Sequence, residues 1–161
     1  MAFNIGIVDY EILLRLIVAA IAGGLVGFER EAMHKPAGIR THMLVSLGAA
    51  LFVLATLSII PDEVGRIIAG VATGIGFLGA GTIFRSKDNV KGLTTAASIW
   101  AAAAIGLTVG GGQYVLAIAA TILVILILCS LTLVARENIV DGPNLDARGT
   151  GGRFNSSALP D

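Results

Sequence analysis

Residues 93–135 read LTTAASIWAAAAIGLTVGGGQYVLAIAATILVILILCSLTLVA, and the nearest charged residues on either side are Lys91 and Arg136. This apolar run is much longer than the roughly 20 residues that one helix needs to cross a bilayer. The run Gly-Gly-Gly-Gln at 110–113 is typical of a turn, so the stretch predicts two membrane spans, 93–109 and 114–135.

The rest of the chain continues this pattern. Three further spans are predicted at 12–28, 41–60 and 67–84, with breaks at Pro36–Gly38 and Pro61–Glu63. Of the 161 residues, 55% are hydrophobic and 14% are charged, against about 25% charged in soluble domains. The predicted fold class is therefore all-α, a polytopic membrane bundle of five transmembrane helices over residues 1–135. Residues 136–161, which are poor in apolar side chains, are predicted to form a disordered cytoplasmic tail.

Basic residues predict the orientation in the membrane, because Lys and Arg concentrate in cytoplasmic loops. The four loops and the tail contain three, one, three, zero and three of them in chain order. The first loop, the third loop and the C-terminus are therefore predicted to be cytoplasmic, with the N-terminus outside. Within the first span, Arg15 is expected to pair with Glu11, four residues earlier.

Glycines recur at helical spacings in the first and third spans. In lipid, small residues allow helix backbones to approach closely. Helix packing is predicted for Gly23, Gly24, Gly27, Gly70, Gly74, Gly76, Gly79 and Gly81. The alternative is an unwound stretch between Gly76 and Gly81, of the kind that lines sites in transporters.

A shift of 54 residues aligns the first pair of spans with the second. Gly38 then falls on Gly92, and Thr41 falls on Thr95. The alignment indicates a parallel repeat of two hairpins about a pseudo-twofold axis along the membrane normal, followed by a fifth helix. The alternative is a chance match, since small residues coincide easily in such a composition.

Charged and hydroxyl side chains gather where the predicted spans meet the cytoplasm. This predicted cluster comprises Glu29, Arg30, Lys35, Arg40, Thr41, Arg85, Lys91, Thr94 and Thr95. Two helix N-termini beside several cations favour an anion, such as a phosphate or a lipid headgroup. Carboxylates could instead bind Mg²⁺, which takes oxygen ligands. The third interpretation is ordinary ion pairing of Glu29 with Arg40 or Arg85, with the threonines capping helix starts.

Enzymatic activity is not expected. No nucleophile elbow, phosphate-binding loop or zinc-ligand spacing occurs in the sequence. His34 and His42 are separated by a Pro-Ala-Gly break and are interpreted as structural. The sequence assigns no metal ligands, and Mg²⁺ is the one cofactor considered.

Two long motifs resemble the MgtC/SapB family of membrane proteins. One is GFERE at 27–31 followed by KPAGIRTH at 35–42, and the other is GIGFLGAG at 74–81 followed by GLTTAA at 92–97 and Trp100. The resemblance implies a bacterial inner-membrane protein linked to magnesium limitation, and in some members to virulence. Members are often labelled as Mg²⁺ transporters, yet the family is better regarded as regulatory. Larger members add a soluble C-terminal domain, whose functions are not expected here.

The leading expectation is a regulator of Mg²⁺-linked ion homeostasis that binds partner membrane proteins through small-residue helix faces. The resemblance implies the F-type ATP synthase or ion transporters as partners; a homo-oligomer is also considered, and no nucleic acid is expected. The alternatives are a transporter or channel for Mg²⁺ or another ion, and a lipid-binding structural module. A conduit for divalent cations is expected to carry acidic groups inside its spans, and the five predicted spans contain none.

Overall fold

Five helices make up most of the structure. The computed structural model describes the backbone of residues 5–86 and 89–140, and the side chains of residues 10–85 and 89–130. The helices are α1 (Ile5–Ala32), α2 (Ile39–Ile59), α3 (Val64–Ala80), α4 (Leu93–Gly110) and α5 (Tyr114–Val140). A 3-10 turn (Pro61–Glu63) precedes α3, and the short strands β1 (Phe84–Ser86) and β2 (Asn89–Lys91) form an antiparallel hairpin before α4. The predicted all-α bundle is confirmed.

Four helical segments are long and apolar enough to cross a membrane: Tyr10–Ala32, Ile39–Ile59, Pro61–Ala80 and Leu93–Gly110. The apolar segment Tyr114–Ser130 is shorter, but the whole of α5 has 27 residues, more than the roughly 20 that a bilayer requires. The chain is therefore a multi-pass membrane protein. The predicted boundary at residue 135 falls inside α5, so residues 136–140 of the predicted tail are helical; the rest of that tail, residues 141–161, lies outside the described residues.

Helix α4 lies at the centre of the bundle and contacts each of the other four helices. Half of its span is buried, against 6% of the span that contains α3. Helix α1 packs against α2, α4 and α5, whereas α3 packs mainly against α4 and, less extensively, α2. The apolar core includes Ala19 and Val26 of α1, Ala50 of α2, and Ile105 and Val109 of α4. Helix α3 is thus the least enclosed part of the bundle.

Small residues explain how closely α1, α2 and α4 approach one another. A Cβ atom added at Gly27 would lie 2.7 Å from the Cα atom of Ile39, and one added at Gly106 would lie 2.1 Å from the carbonyl oxygen of Ser46. Real Cβ atoms essentially never come so near another atom. Only glycine at these two positions therefore allows the three backbones to meet as they do.

The two ends of the bundle carry different connections. The loop 33–38 and the β1–β2 hairpin lie at one end, the hairpin end, because α2 and α4 start side by side and run parallel. The connections at 60–63 and 111–113 lie at the other end, the turn end. At the turn end Arg15 pairs with Glu11, as predicted. Arg15 Nη1 also donates to the Gly110 carbonyl oxygen at 2.9 Å, which ties α1 to the end of α4.

The end of the third span differs from the prediction. Helix α3 stops at Ala80 rather than at Phe84, and the chain then turns into β1. The helix is continuous through Gly76 and Gly79, so the alternative of an unwound stretch there is wrong for the segment up to Ala80. Gly92 adopts a φ of 92°, and a Cβ atom there would lie 2.0 Å from the Thr82 carbonyl oxygen. Glycine is required at this position to close the hairpin back onto α4.

The predicted repeat is reflected in the helix starts but not in the helix contacts. Helices α2 and α4 start at Ile39 and Leu93, which matches the shift of 54 residues. The close approach of α1 to α2 at Gly27 has no counterpart at Gly81, whose nearest atoms belong to its own helix. The helix starts agree with the repeat, but the two hairpins pack differently at these glycines. The repeat therefore stays a prediction.

Candidate functional site

A buried ion pair occupies the hairpin end of α1. Glu29 is 8% exposed and Arg30 is 3% exposed. Arg30 Nη2 donates to Glu29 Oε1 at 2.6 Å, and Arg30 Nε donates to Glu29 Oε2. The planar guanidinium thus engages both carboxylate oxygens, the geometry in which such pairs are strongest. Because each charge is expensive to bury alone, the two residues depend on each other.

His42 lies beside this pair, fully buried in the first turns of α2. Its Nδ1 atom lies 2.9 Å from the Gly38 carbonyl oxygen, and its Nε2 atom lies 3.0 Å from Ser98 Oγ on α4. Glu29 and Arg30 follow Gly27 by two and three residues, and a Cβ atom at Gly27 would lie 3.0 Å from the His42 Cβ atom. These four side chains, Glu29, Arg30, His42 and Ser98, are called the buried polar cluster.

The hydrogen bonds of His42 constrain where its protons can lie. A carbonyl oxygen only accepts, so Nδ1 must donate its proton to Gly38. In the neutral ring Nε2 is then an acceptor, and the Ser98 hydroxyl must donate to it. The same hydroxyl is placed to donate to the Thr95 carbonyl oxygen at 2.8 Å, and it has only one proton to give. The bond from α2 to α4 therefore competes with a bond inside α4.

Ser46 makes a second polar link between helices, one turn after His42. Its hydroxyl is buried and donates to the Ala19 carbonyl oxygen of α1 at 2.7 Å. A Cβ atom at Gly23 would lie 2.4 Å from the His42 carbonyl oxygen, so α1 crosses α2 directly over these two polar residues. The cluster and the glycines together lock α1, α2 and α4 into one unit, the three-helix platform.

The residues of the predicted cytoplasmic cluster divide into two groups. Glu29, Arg30 and Thr95 are buried, whereas the other six, Lys35, Arg40, Thr41, Arg85, Lys91 and Thr94, are exposed. Glu29 pairs with its neighbour Arg30, and the predicted pairing with Arg40 or Arg85 is wrong. Neighbouring helix residues usually point to different sides, so the sequence favoured a more distant partner.

The prediction that the threonines cap the helix starts is wrong. The N-cap positions of α2 and α4 are Gly38 and Gly92, which have no side-chain oxygen. At the start of α2, Glu31 Oε2 accepts the Ile39 N–H at 2.9 Å instead. The Glu31 carboxylate also fills the space where a Cβ atom at Gly38 would lie.

The predicted packing glycines also differ in their surroundings. Gly23 and Gly27 meet backbone atoms of the α1–α2 interface, Gly24 faces the Met43 side chain, and Gly79 faces Ala96 at 3.5 Å. At Gly70, Gly74 and Gly76, by contrast, an added Cβ atom would have no described atom of another residue within 4 Å. Within the described part of the chain, these three glycines do not make the close helix contacts that were predicted for them.

Sequence reasoning missed His42, Ser46 and Ser98 as site residues. His42 and Ser46 are four residues apart in an otherwise apolar helix, so they share one face. That spacing is the signal that could have found them, because polar groups in a membrane helix turn toward other helices. In the part of the chain that the structure describes, no group of three or more His, Cys, Asp or Glu is arranged to hold a metal ion.

Comparison with known proteins identifies relatives across most of the chain. The model of the MgtC family matches residues 16–137. Protein MgtC of Salmonella typhimurium strain LT2 is 47% identical over 116 residues, which cover 72% of this chain and 50% of that protein. The Escherichia coli K12 protein named "Putative magnesium transporter YhiD" is 46% identical over 129 residues, which cover 73% of this chain and 59% of that protein.

The relatives are longer than the region they share with this chain. Protein MgtC of Brucella abortus is 46% identical over 108 residues, which cover 66% of this chain and 45% of that protein. The chain thus spans about half the length of the curated relatives it matches. No solved structure matches it significantly. The family match across the helical bundle, together with relatives of this similarity, shows that the chain belongs to the MgtC family.

Proposed function

We propose that this chain is an inner-membrane regulator of Mg²⁺-linked ion homeostasis, without enzymatic activity, which binds a partner membrane protein through the open face of α3. The proposed partners are the F-type ATP synthase or an ion transporter, with self-association as a further mode. The hairpin end, with its basic residues, is proposed to face the cytoplasm.

The observation that carries this proposal is the contrast between two sets of glycines. Gly23, Gly27, Gly106 and Gly110 are covered by backbone atoms of neighbouring helices. Gly70, Gly74 and Gly76 on α3 are open. In lipid, helix association depends on close packing, and a helix face of glycines permits the closest approach. Gly70 and Gly74 are four residues apart and so lie on one side of α3, opposite Gly79; this side is the open face of α3, and it remains available for a helix from another protein.

The rigid support for this face is the three-helix platform. Helix α3 packs on α4 and α2 with its other side, near Gly79 and Ala96. A partner that binds α3 would thus press against a helix whose position is already set by α4. This arrangement supports a docking role for α3 better than a role as a moving gate.

Gly74→Leu tests the proposal, because Gly74 is exposed and a Cβ atom added there would have no atom of another described residue within 4 Å. We expect the unfolding midpoint in detergent to stay unchanged, since surface changes usually alter stability by only about 0.5 kcal/mol. Co-purification with the ATP synthase and with ion transporters should fall at least tenfold, roughly the effect of 1.4 kcal/mol. In a strain whose own copy of this protein has been deleted, the Gly74→Leu variant should fail to support growth under Mg²⁺ limitation.

Ala119→Leu is the matched control, because it adds similar bulk at an exposed position on α5. It should leave partner binding and growth unchanged. Equal effects of the two variants would show that α3 is not the binding face. Unchanged binding in Gly74→Leu would have the same meaning.

The second candidate function is transport of Mg²⁺ or another ion, which the name of the Escherichia coli relative favours. Against it, both oxygens of Glu29 are engaged by Arg30, so that carboxylate has little capacity left for a cation. Liposomes that hold the purified chain should take up Mg²⁺ no faster than protein-free liposomes. Uptake that is faster, and equal in the wild type and in Gly74→Leu, would favour the transporter.

A further inference from the structure

A groove opens at the hairpin end between α2, the end of α3 and α4. It is lined by Pro36 of the α1–α2 loop, Thr41 and Val45 of α2, Leu78 and Thr82 at the end of α3, and Ile99 of α4. Its volume is about 250 Å³. The walls are mostly apolar, and the two threonines add hydroxyl groups.

The size and lining of the groove favour part of a long apolar chain. Pockets for whole small molecules usually measure about 300–1,000 Å³ and enclose most of the ligand. A groove of about 250 Å³ is too small for that but can hold a segment of an acyl chain whose remainder stays in the bilayer. The groove also lies where α2 begins and α3 ends, which is the depth at which a phospholipid changes from acyl chain to headgroup.

Basic residues flank the lining residues of the groove in the sequence. Lys35 and Arg40 are sequence neighbours of the lining residues Pro36 and Thr41, and Arg85 follows Thr82 by three residues. All three are exposed, and none of them forms an ion pair with another described residue. The acidic neighbours are already engaged, Glu29 by Arg30 and Glu31 by the Ile39 N–H. These free cations complement an anion at the mouth of the groove.

We propose that this groove binds an anionic phospholipid, with part of one acyl chain against Val45 and Leu78 and the headgroup phosphate near Lys35 and Arg40. The apolar wall selects a lipid over a soluble phosphate, and the cations select an anionic over a zwitterionic headgroup. The proposal does not depend on the partner-binding function, because the groove and the open glycines are formed by different residues.

The test is native mass spectrometry of the purified full chain with phosphatidylglycerol or with phosphatidylcholine of the same acyl chains. Phosphatidylglycerol should bind at least about tenfold more tightly, because each basic residue near an anionic lipid contributes roughly a fivefold preference. Arg40→Gln should lower phosphatidylglycerol affinity about fivefold, and Lys35→Gln combined with Arg40→Gln about 25-fold. Val45→Trp should abolish binding by filling the groove.

Two control variants separate the groove from the rest of the surface. Leu44→Trp introduces the same side chain at an exposed neighbour of Val45, and Arg66→Gln removes a cation at the turn end. Both should bind phosphatidylglycerol like the wild type. If Val45→Trp fails to fold, the Lys35 and Arg40 variants decide, because those side chains are exposed.

Three results would overturn the proposal. One is equal binding of phosphatidylglycerol and phosphatidylcholine, which would remove the role of charge. Another is displacement of the lipid by inorganic phosphate or glycerol phosphate at millimolar concentration, which would identify the ligand as a soluble anion. The third is equal loss of binding in the groove variants and in their controls.

Discussion

At the scale of single residues, the structure shows how polar side chains are accommodated in an apolar bundle. Glu29 and Arg30 satisfy each other, and His42 has a partner for each ring nitrogen. A polar group without a partner is costly in an apolar environment, so the hydrogen bond from His42 to Ser98 constrains how α2 packs on α4, whereas Glu29 and Arg30 pair within α1. The buried polar cluster therefore contributes to which helices pack together as well as to stability.

Glu29→Gln should strongly destabilise the protein, because it leaves the charge of Arg30 buried without a counter-charge. Breaking a buried pair in this way typically costs about 3–5 kcal/mol, whereas replacing both members by apolar residues is often neutral. Glu29→Leu combined with Arg30→Met should therefore recover most of the loss in a denaturation measurement in detergent. The control is Glu63→Gln, which breaks the exposed pair with Arg66 and should cost only about 0–1 kcal/mol. Equal costs for the two single variants would contradict this account.

At the scale of helices, glycine positions decide which contacts form. Helix α4 contacts α2 at Gly106 and Gly110, where the backbones are so close that no side chain fits. Helix α3 has five glycines against two in α4, yet four of the five face open space: Gly65, Gly70, Gly74 and Gly76. The same residue type thus serves internal packing in one helix and leaves a free face on another.

Gly106→Ala should push α2 and α4 apart, because the new Cβ atom would lie 2.1 Å from the Ser46 carbonyl oxygen, a backbone atom that cannot rotate away. Overpacking of this kind costs about 1–3 kcal/mol or more. Gly48→Ala is the matched control in α2, where nothing lies within 4 Å of the added atom. It should stabilise the chain by up to about 1 kcal/mol, since alanine favours a helix more than glycine does. If the unfolding midpoints of the two variants shifted in the same direction, the packing argument would be refuted.

At the scale of the whole molecule, the two ends of the bundle differ in charge. The exposed cations Lys35, Arg40, Arg85 and Lys91 lie at the hairpin end. At the turn end, by contrast, Arg15 and Arg66 are each paired with a glutamate. This asymmetry matches the distribution expected when the hairpin end faces the cytoplasm.

Cysteine labelling in intact cells tests that orientation. In a Cys129→Ser background, a cysteine in place of Asp62 at the turn end should react with a membrane-impermeant reagent. A cysteine in place of Val90 in β2 should react only after the cells are opened, because the hairpin end is proposed to be cytoplasmic. Both side chains are exposed in the wild type, so burial does not limit either reaction. Labelling of both positions in intact cells would exclude the proposed topology.

The sequence alone predicted the class of protein, the five helices, the charge asymmetry and the family. Each of these depends on local composition: apolar runs report membrane spans, basic residues mark loops, and the GFERE and GLTTAA motifs are continuous in the chain. The Glu11–Arg15 pair was equally accessible, because residues four apart meet on one helix face. The end of α3 was placed four residues too late, since the apolar run continues into β1.

Only the tertiary structure decided which polar residues come together and which glycines are covered. Glu29 had several cations within reach along the sequence, and Arg30 became its partner because both side chains are buried at the hairpin end of α1, whereas Arg40 and Arg85 are exposed. Gly23 and Gly27 on α1 have the same spacing as Gly70 and Gly74 on α3, yet only the pair on α1 is buried, because α4 lies against α1 and α2 and leaves α3 at the edge. Lipid surrounds every helix with the same apolar medium, so hydrophobicity alone does not determine which face of a helix turns inward. That choice depends on close contacts between residues far apart in the chain, such as Ser46 with Gly106.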